Sequence, residues 1–197
     1  IPDFEERLPD EIRDKETGAK IMISQSFIKK FISVIEGEIC PRRFWATQTT
    51  EAHEESGNAA LMGNRFQWLA FELLDYYGNE PEEIKTVTGR RSDTLNKRIE
   101  RNASYAKKTL ERLGYKIMGR HTEMGFKCLS GELDLDCDKQ RDMLIVDLKY
   151  SGLIGDSKHP WGWPDEPENF KFGAKVQAKH YLLLAELKDM KRAGFAF

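Results

Sequence analysis

The sequence predicts an α/β domain of α+β-like order, a central mixed sheet flanked by helices and preceded by an N-terminal helical region. Three observations carry this reading. Apolar residues recur at helical spacing between residues 24 and 113. From Tyr115 to Tyr150 the period shortens to two, as in strands. A last helical stretch, 174–192, follows a long Gly/Pro/Trp segment, and "AGFAF" can start one more strand. Helices, a meander, a helix and a strand make a sheet covered by helices.

Residues 1–23 read as an irregular, acidic lead-in. Residues 24–197 read as one domain, with a helical part (24–113) and a sheet part with its helix (114–197). In "SQSFIKKFISVIEG" (24–37), Phe27, Phe31, Ile32 and Ile35 share a helical face, with Ser24 or Ser26 as the N-cap. Pro41 in "CPRRFW" (40–45) argues for a turn and a second short helix. Residues 47–57 are polar and read as a loop. Residues 58–77 form a central helix, apolar on most faces and stopped by Gly78. Residues 92–113 form a second long helix with a basic outer face, stopped by Gly114. Strands are expected at 115–125, 126–138 and 142–150, with "DKQRD" closing the last hairpin. Residues 151–172 read as a loop.

At 197 residues, with 40% apolar and 32% charged content, the chain can bury a real core. Its apolar runs are far shorter than a membrane span, and no membrane partner is expected. No signal peptide is visible, yet the chain starts at Ile1, so a removed leader stays open. Three cysteines without a CxxC favour reduced thiols and a cytoplasmic setting. Net charge is −2, which excludes a bulk polycation, but the charge is unevenly spread. Residues 90–120 hold ten Lys/Arg against three Asp/Glu, whereas residues 1–89 hold ten against seventeen. A basic segment beside an acidic cluster suits a phosphodiester plus a metal; the plainer alternative is a solvated helix face.

The chemistry concentrates in "GELDLDCDKQRDMLIVDLKYSG" (131–152). Alternate strand residues share a face, so Asp147 and Lys149 stand about 6.6 Å apart on one side. A five-residue hairpin loop brings Asp134 level with Asp147. Two converging carboxylates make a hard-oxygen site for Mg2+ or Mn2+, and a nearby lysine can orient water and stabilise charge on phosphorus. An ordinary strand ion pair is the alternative for "DLK" alone. Glu132 and Asp136 alternate in phase with Asp134, so either can join the site, and Glu123 on the preceding strand is a further candidate.

Five segments occur in one order: "CPRRFW" (40–45), "GNRFQWLAFE" (63–72), "GELD" (131–134), "IVDLKYSG" (145–152) and "QAKHY" (177–181). Together they resemble the PD-(D/E)XK nuclease superfamily and, within it, the RecB-type exonuclease domain, including CRISPR-adaptation exonucleases. The resemblance covers about residues 24–185. It implies a restriction-endonuclease-like core and a Mg2+- or Mn2+-dependent deoxyribonuclease, an exonuclease in this branch. Carried over, Asp134, Asp147 and the Leu148 backbone carbonyl would be metal ligands and Lys149 would position the attacking water. Gln177 and Tyr181 would border the active site, with Gln177 holding substrate or Lys149; the alternative for this pair is a helix packed on the sheet with Tyr181 in the core. The implied partner is DNA, at single- or double-stranded ends, with a helicase, recombinase or other replication or recombination protein, in DNA repair or phage biology.

Two departures stand out. Many RecB-type enzymes carry a metal-binding His on the first helix, where this chain has Gln67; Gln67, Glu72 or Glu132 would then complete the metal site. This leaves a catalytically degenerate module that binds nucleic acid or a protein as the alternative. A non-nucleic-acid metal hydrolase is a third. Some relatives also bind an iron–sulfur cluster through four cysteines, and this chain has Cys40, Cys128 and Cys137 only, so no cluster is expected. Cys40 reads instead as a small buried hydrophobe. For DNA contact, Arg42, Arg43 and Arg65 lie within the motifs. Trp161 and Trp163 can stack on bases or pin their loop to the core. Arg90, Arg91, Lys97, Arg98 and Arg101 are phosphate-contact candidates.

Overall fold

In the computed structural model, residues 2–49, 58–75, 78–86, 88–140, 142–151, 172–190 and 193–196 are described. They form six helices, α1 (Pro2–Arg7), α2 (Gln25–Ile35), α3 (Pro41–Thr49), α4 (Asn58–Phe71), α5 (Asp93–Leu113) and α6 (Phe172–Leu187). The strands are β1 (Ile12–Arg13), β2 (Lys20–Ile21), β3 (Lys116–Phe126), β4 (Leu129–Lys139), β5 (Asp142–Val146) and β6 (Ala193–Ala196).

The main sheet has the order β3-β4-β5-β6. The β3–β4 and β4–β5 pairs are antiparallel, and β6 joins β5 in parallel, so the sheet is mixed, as predicted. Ile145 and Val146 are neighbours on β5 and therefore point to opposite faces. Val146 packs with Leu135, Phe66, Ala70, Ile99 and Ala103 in the cluster beneath α4 and α5. Ile145 packs with Leu133, Met124, Tyr181 and Leu184 in the cluster beneath α6. The sheet is thus flanked by helices on both sides. Asn96 ties α5 to the preceding chain: Ile84 N–H donates to its Oδ1 at 3.0 Å, and its Nδ2 donates to the Ile84 and Ser92 carbonyls.

Several boundaries differ from the sequence reading, each for a local reason. The lead-in is not wholly irregular, since α1 and the small β1–β2 hairpin lie within it. Asp14 makes that turn, with Oδ1 accepting from the N–H groups of Glu16 and Thr17 and from the Thr17 hydroxyl. Helix α3 runs through Thr49, into the expected loop. Helix α4 stops at Phe71, well before Gly78. Glu72 turns left-handed (φ 60°), and Arg120 Nε and the His121 ring bind the Phe71 and Leu74 carbonyls, which draws the chain out of the helix. Gly114 ends α5 as predicted, at φ 77°, a conformation that favours glycine. Strand β5 ends at Val146, so Asp147, Leu148 and Lys149 lie just past it rather than within it.

Candidate active site

The β4–β5 register sets the site. Leu135 pairs with Val146, so the next step brings Asp134 level with Asp147. The Leu148 backbone N–H then donates to Asp134 Oδ2 at 2.6 Å, fixing that carboxylate against the chain beyond β5. Asp147 itself stays tied to the sheet, its N–H donating to the Ala196 carbonyl of β6 at 2.9 Å.

Asp147 is only 4% exposed. The Lys149 ammonium lies against its Oδ2 as an ion pair. The other oxygen, Oδ1, accepts from Gln177 Nε2 at 2.5 Å. Gln177, also 4% exposed, is presented by α6, and its Oε1 faces the Lys29 ammonium at 3.4 Å. Lys29 belongs to α2, and no motif singled it out. A half-buried lysine inside an amphipathic helix carries no sequence signature of its own, so only the tertiary contact reveals it.

Gln67, on α4, closes the other side. Its Nε2 lies 3.3 Å from Asp134 Oδ2 and 3.2 Å from the Leu148 carbonyl, donating to both. The four segments carrying Gln67, Asp134, Asp147–Lys149 and Gln177 therefore meet at one place.

The electrostatics are those of two carboxylates held too close and too dry. Burial first, then the charge of Asp147, pushes Asp134 up from 3.8 to about 6, against the lowering effect of the Leu148 N–H. Burial also raises Asp147, while Lys149, Lys29 and Gln177 pull it back. Asp147 Oδ2 is buried and accepts no well-directed hydrogen bond.

These groups fit a hard divalent cation. The donors are all oxygen, two carboxylates and the Leu148 carbonyl, and a cation would offset the burial that raises both acids and the Asp147 charge that further raises Asp134. Among the described residues no three His, Cys, Asp or Glu side chains gather as a metal cage. Remaining coordination positions would fall to water and phosphate, as is usual for Mg2+ in phosphoryl chemistry.

No protein-family model matches the chain, and no curated protein or solved structure matches it.

The other expected residues differ in their surroundings. Tyr181 is buried, its hydroxyl donating to the Glu132 carbonyl at 2.8 Å and its ring stacked on Phe195. Burial and the charge of Asp147 push its phenol up to about 12. It packs the sheet, and its hydroxyl also meets the Gln177 side chain that holds Asp147, so it borders the site through Gln177. A Cβ on Gly131 would sit 2.6 Å from the Tyr181 ring, so glycine there admits the aromatic.

Glu132 is exposed and pairs with His121, 2.7 Å away. Glu72 is exposed beyond the end of α4, and Glu123 is exposed on β3. Asp136 accepts from the Thr122 hydroxyl at 2.8 Å, over Gly119. The expected common phase of these acids fails because strict alternation breaks at Asp134. Leu133 packs under α6 but Leu135 under α4 and α5, and left-handed His121 (φ 48°) lies across from the break, between the pairs Arg120–Leu135 and Thr122–Leu133.

Arg65 is held by Glu80 and the Pro81 carbonyl, a structural tether. Arg42 and Arg43 are exposed on α3, and Arg42 lines a cleft with Trp45 and the β1–β2 turn. Arg91 is engaged by Glu83, Asp93 and Glu100. Arg90, Lys97, Arg98 and Arg101 are exposed. Trp161 and Trp163 lie outside the described residues. Cys40 is exposed rather than buried. The Arg42 and Arg43 N–H groups at the start of α3 hold its thiol below the usual range.

Proposed function

We propose that the chain is a metal-dependent DNA nuclease of the RecB-type PD-(D/E)XK class, with a restriction-endonuclease-like core, acting in the cytoplasm. The observation that carries this reading is the pairing of Asp134 with Asp147 through the Leu135–Val146 register, with Lys149 on Asp147 and the Leu148 carbonyl beside Asp134.

Asp134, Asp147 and the Leu148 carbonyl would hold one or two Mg2+ or Mn2+ ions. A bound ion polarises the phosphoryl oxygen and makes a water more acidic. Lys149 holds that water for in-line attack and offsets charge growing on phosphorus. Gln177 keeps Asp147 oriented. The water oxygen bonds to phosphorus, the bond from phosphorus to the departing sugar oxygen breaks, the water gives up a proton and the departing oxygen takes one.

A second reading has its own observation. Gln67 already donates to Asp134 and the Leu148 carbonyl, so part of the site is satisfied without a cation. A catalytically degenerate module that binds nucleic acid or a protein would look like this.

A cleavage time course on end-labelled linear single- and double-stranded DNA and a closed circle, with Mn2+, Mg2+ or chelator, separates the two. The nuclease predicts metal-dependent loss of linear DNA that Asp147→Ala abolishes; a surviving circle marks an exonuclease. Equal cleavage by Asp147→Ala refutes the site. No cleavage with any metal favours the degenerate module.

A further inference from the structure

Lys29 is half-buried on α2, and its Nζ reaches the candidate active site from the side opposite Gln67. The segment before α2 is fixed to the sheet: Ile23 N–H donates to the Cys128 carbonyl, and Ser130 N–H to the Ile23 carbonyl. Ser24 then caps the helix by accepting from Phe27 N–H at 3.2 Å. The lysine stem runs over Gly173 on α6, where a Cβ would come 3.3 Å from Lys29 Cε and 3.6 Å from Cδ. Gly173 and Gln177 are four apart, one helical turn, so a single α6 face receives the stem and meets the ammonium.

What the ammonium finds there is incomplete. Its polar contact is a long one, 3.4 Å, to the neutral Gln177 Oε1. Among the described residues no carboxylate lies within ion-pair distance of it, because Asp147 is already taken up by Lys149 and Gln177. Burial and the neighbouring Lys149 charge hold its pKa below the ordinary lysine range, with Asp147 acting the other way. Charges taken out of water are normally paired, and among the described residues this half-buried one has no carboxylate of its own.

The formal charges explain why. Asp134 and Asp147 balance Lys29 and Lys149. A divalent cation between the carboxylates leaves the site with two positive charges in excess, which suits a phosphate chain. Lys149 is committed to Asp147 and the reacting group, whereas Lys29 stands one side chain further out, beyond Gln177.

We propose that Lys29 is a second phosphate-holding residue of this site, binding a backbone phosphate of the nucleic acid next to the one that reacts. The inference rests on the nuclease-site reading given above but is tested separately from it.

The test is binding of a fluorescent oligonucleotide to the wild type, Lys29→Met and Lys29→Arg, followed by anisotropy from low to high KCl, with chelator and with Ca2+. Losing one phosphate contact should weaken binding by about tenfold and lower the slope of log affinity against log salt by about one. Lys29→Arg should keep the wild-type slope. A lysine that merely props Gln177 would change the melting temperature and leave the slope untouched, and that result overturns the proposal whether or not the protein cleaves DNA. A methylphosphonate walked along the oligonucleotide locates the contact. At one position the neutral linkage should weaken the wild type and leave Lys29→Met unaffected; equal losses in both proteins at every position also overturn it. Absence of cleavage by the wild type would sink the nuclease reading alone.

Discussion

Removing the charge of Asp134 should stabilise the metal-free protein. Its carboxyl is raised from 3.8 to about 6. That shift of about two units corresponds to about 3 kcal/mol against the ionised form, at about 1.4 kcal/mol per unit. Asparagine keeps an oxygen to accept from the Leu148 N–H and removes the repulsion with Asp147. For a chain of this length, about 3 kcal/mol is about 6–12 °C in Tm. The sign with pH follows from linkage. The folded carboxyl binds its proton more tightly than the unfolded one, so wild-type stability falls as pH rises from about 4 through about 6. The Asp134→Asn advantage is therefore full at pH 8 and shrinks toward pH 4. Melting curves in chelator at pH 8, 6 and 4.5 measure it. Mn2+ should then close the gap at about 100 times its Kd, where it adds about 2.7 kcal/mol to the protein that binds it, and reverse the order at about 1,000 times its Kd, where it adds about 4.1 kcal/mol. Equal melting of wild type and variant at pH 8 in chelator, or a gap indifferent to pH, would refute the argument that the pair is held under electrostatic strain.

The remaining predictions concern the groups around that pair. Gly131→Ala should cost about 1–3 kcal/mol or more by driving a methyl into the Tyr181 ring, read as a lower denaturant midpoint. Tyr181→Phe should lose the bond to the Glu132 carbonyl, about 1 kcal/mol, and the hydroxyl's contact with Gln177, and leave the cleavage rate largely intact; a large rate loss would place Tyr181 in the chemistry. Gln67→His should tighten Mn2+ binding in calorimetry, because an imidazole nitrogen would replace an amide that now donates to two candidate ligand oxygens.

The sheet and the acid pair were legible because both follow from local rules. Period-two apolar residues and a short hairpin fix a register, and that register alone brings Asp134 level with Asp147. Gln67 was legible only by its place in a motif, and the direction of its amide comes from tertiary packing. The sequence treats Glu132, Asp134 and Asp136 alike, yet a left-handed residue on the neighbouring strand breaks the alternation between them. The early end of α4 was hidden for a similar reason. Apolar residues continue past Phe71, and what stops the helix is Arg120 and His121, about fifty residues later in the chain. Lys29 was invisible because its meaning depends on Gly173 and Gln177, which only the fold brings beside it.

The two acids are not equivalent, and the difference bears on what the site is for. Asp147 has a lysine and an amide as its own partners, so it behaves as a supported anion whatever else is present. Asp134 has a single backbone N–H at short range and a longer contact to Gln67, and with no ion pair of its own among the described residues it is the less supported of the two. A fold selected only for stability would replace Asp134 with a neutral residue, since a buried, poorly paired carboxylate costs more than it returns. Its presence beside a second carboxylate and a backbone carbonyl that Gln67 also contacts would make sense where a cation supplied the missing charge. On the proposed reading a cation would relieve Asp134 first, and Lys29, no longer needed for neutrality, would then be available to a phosphate.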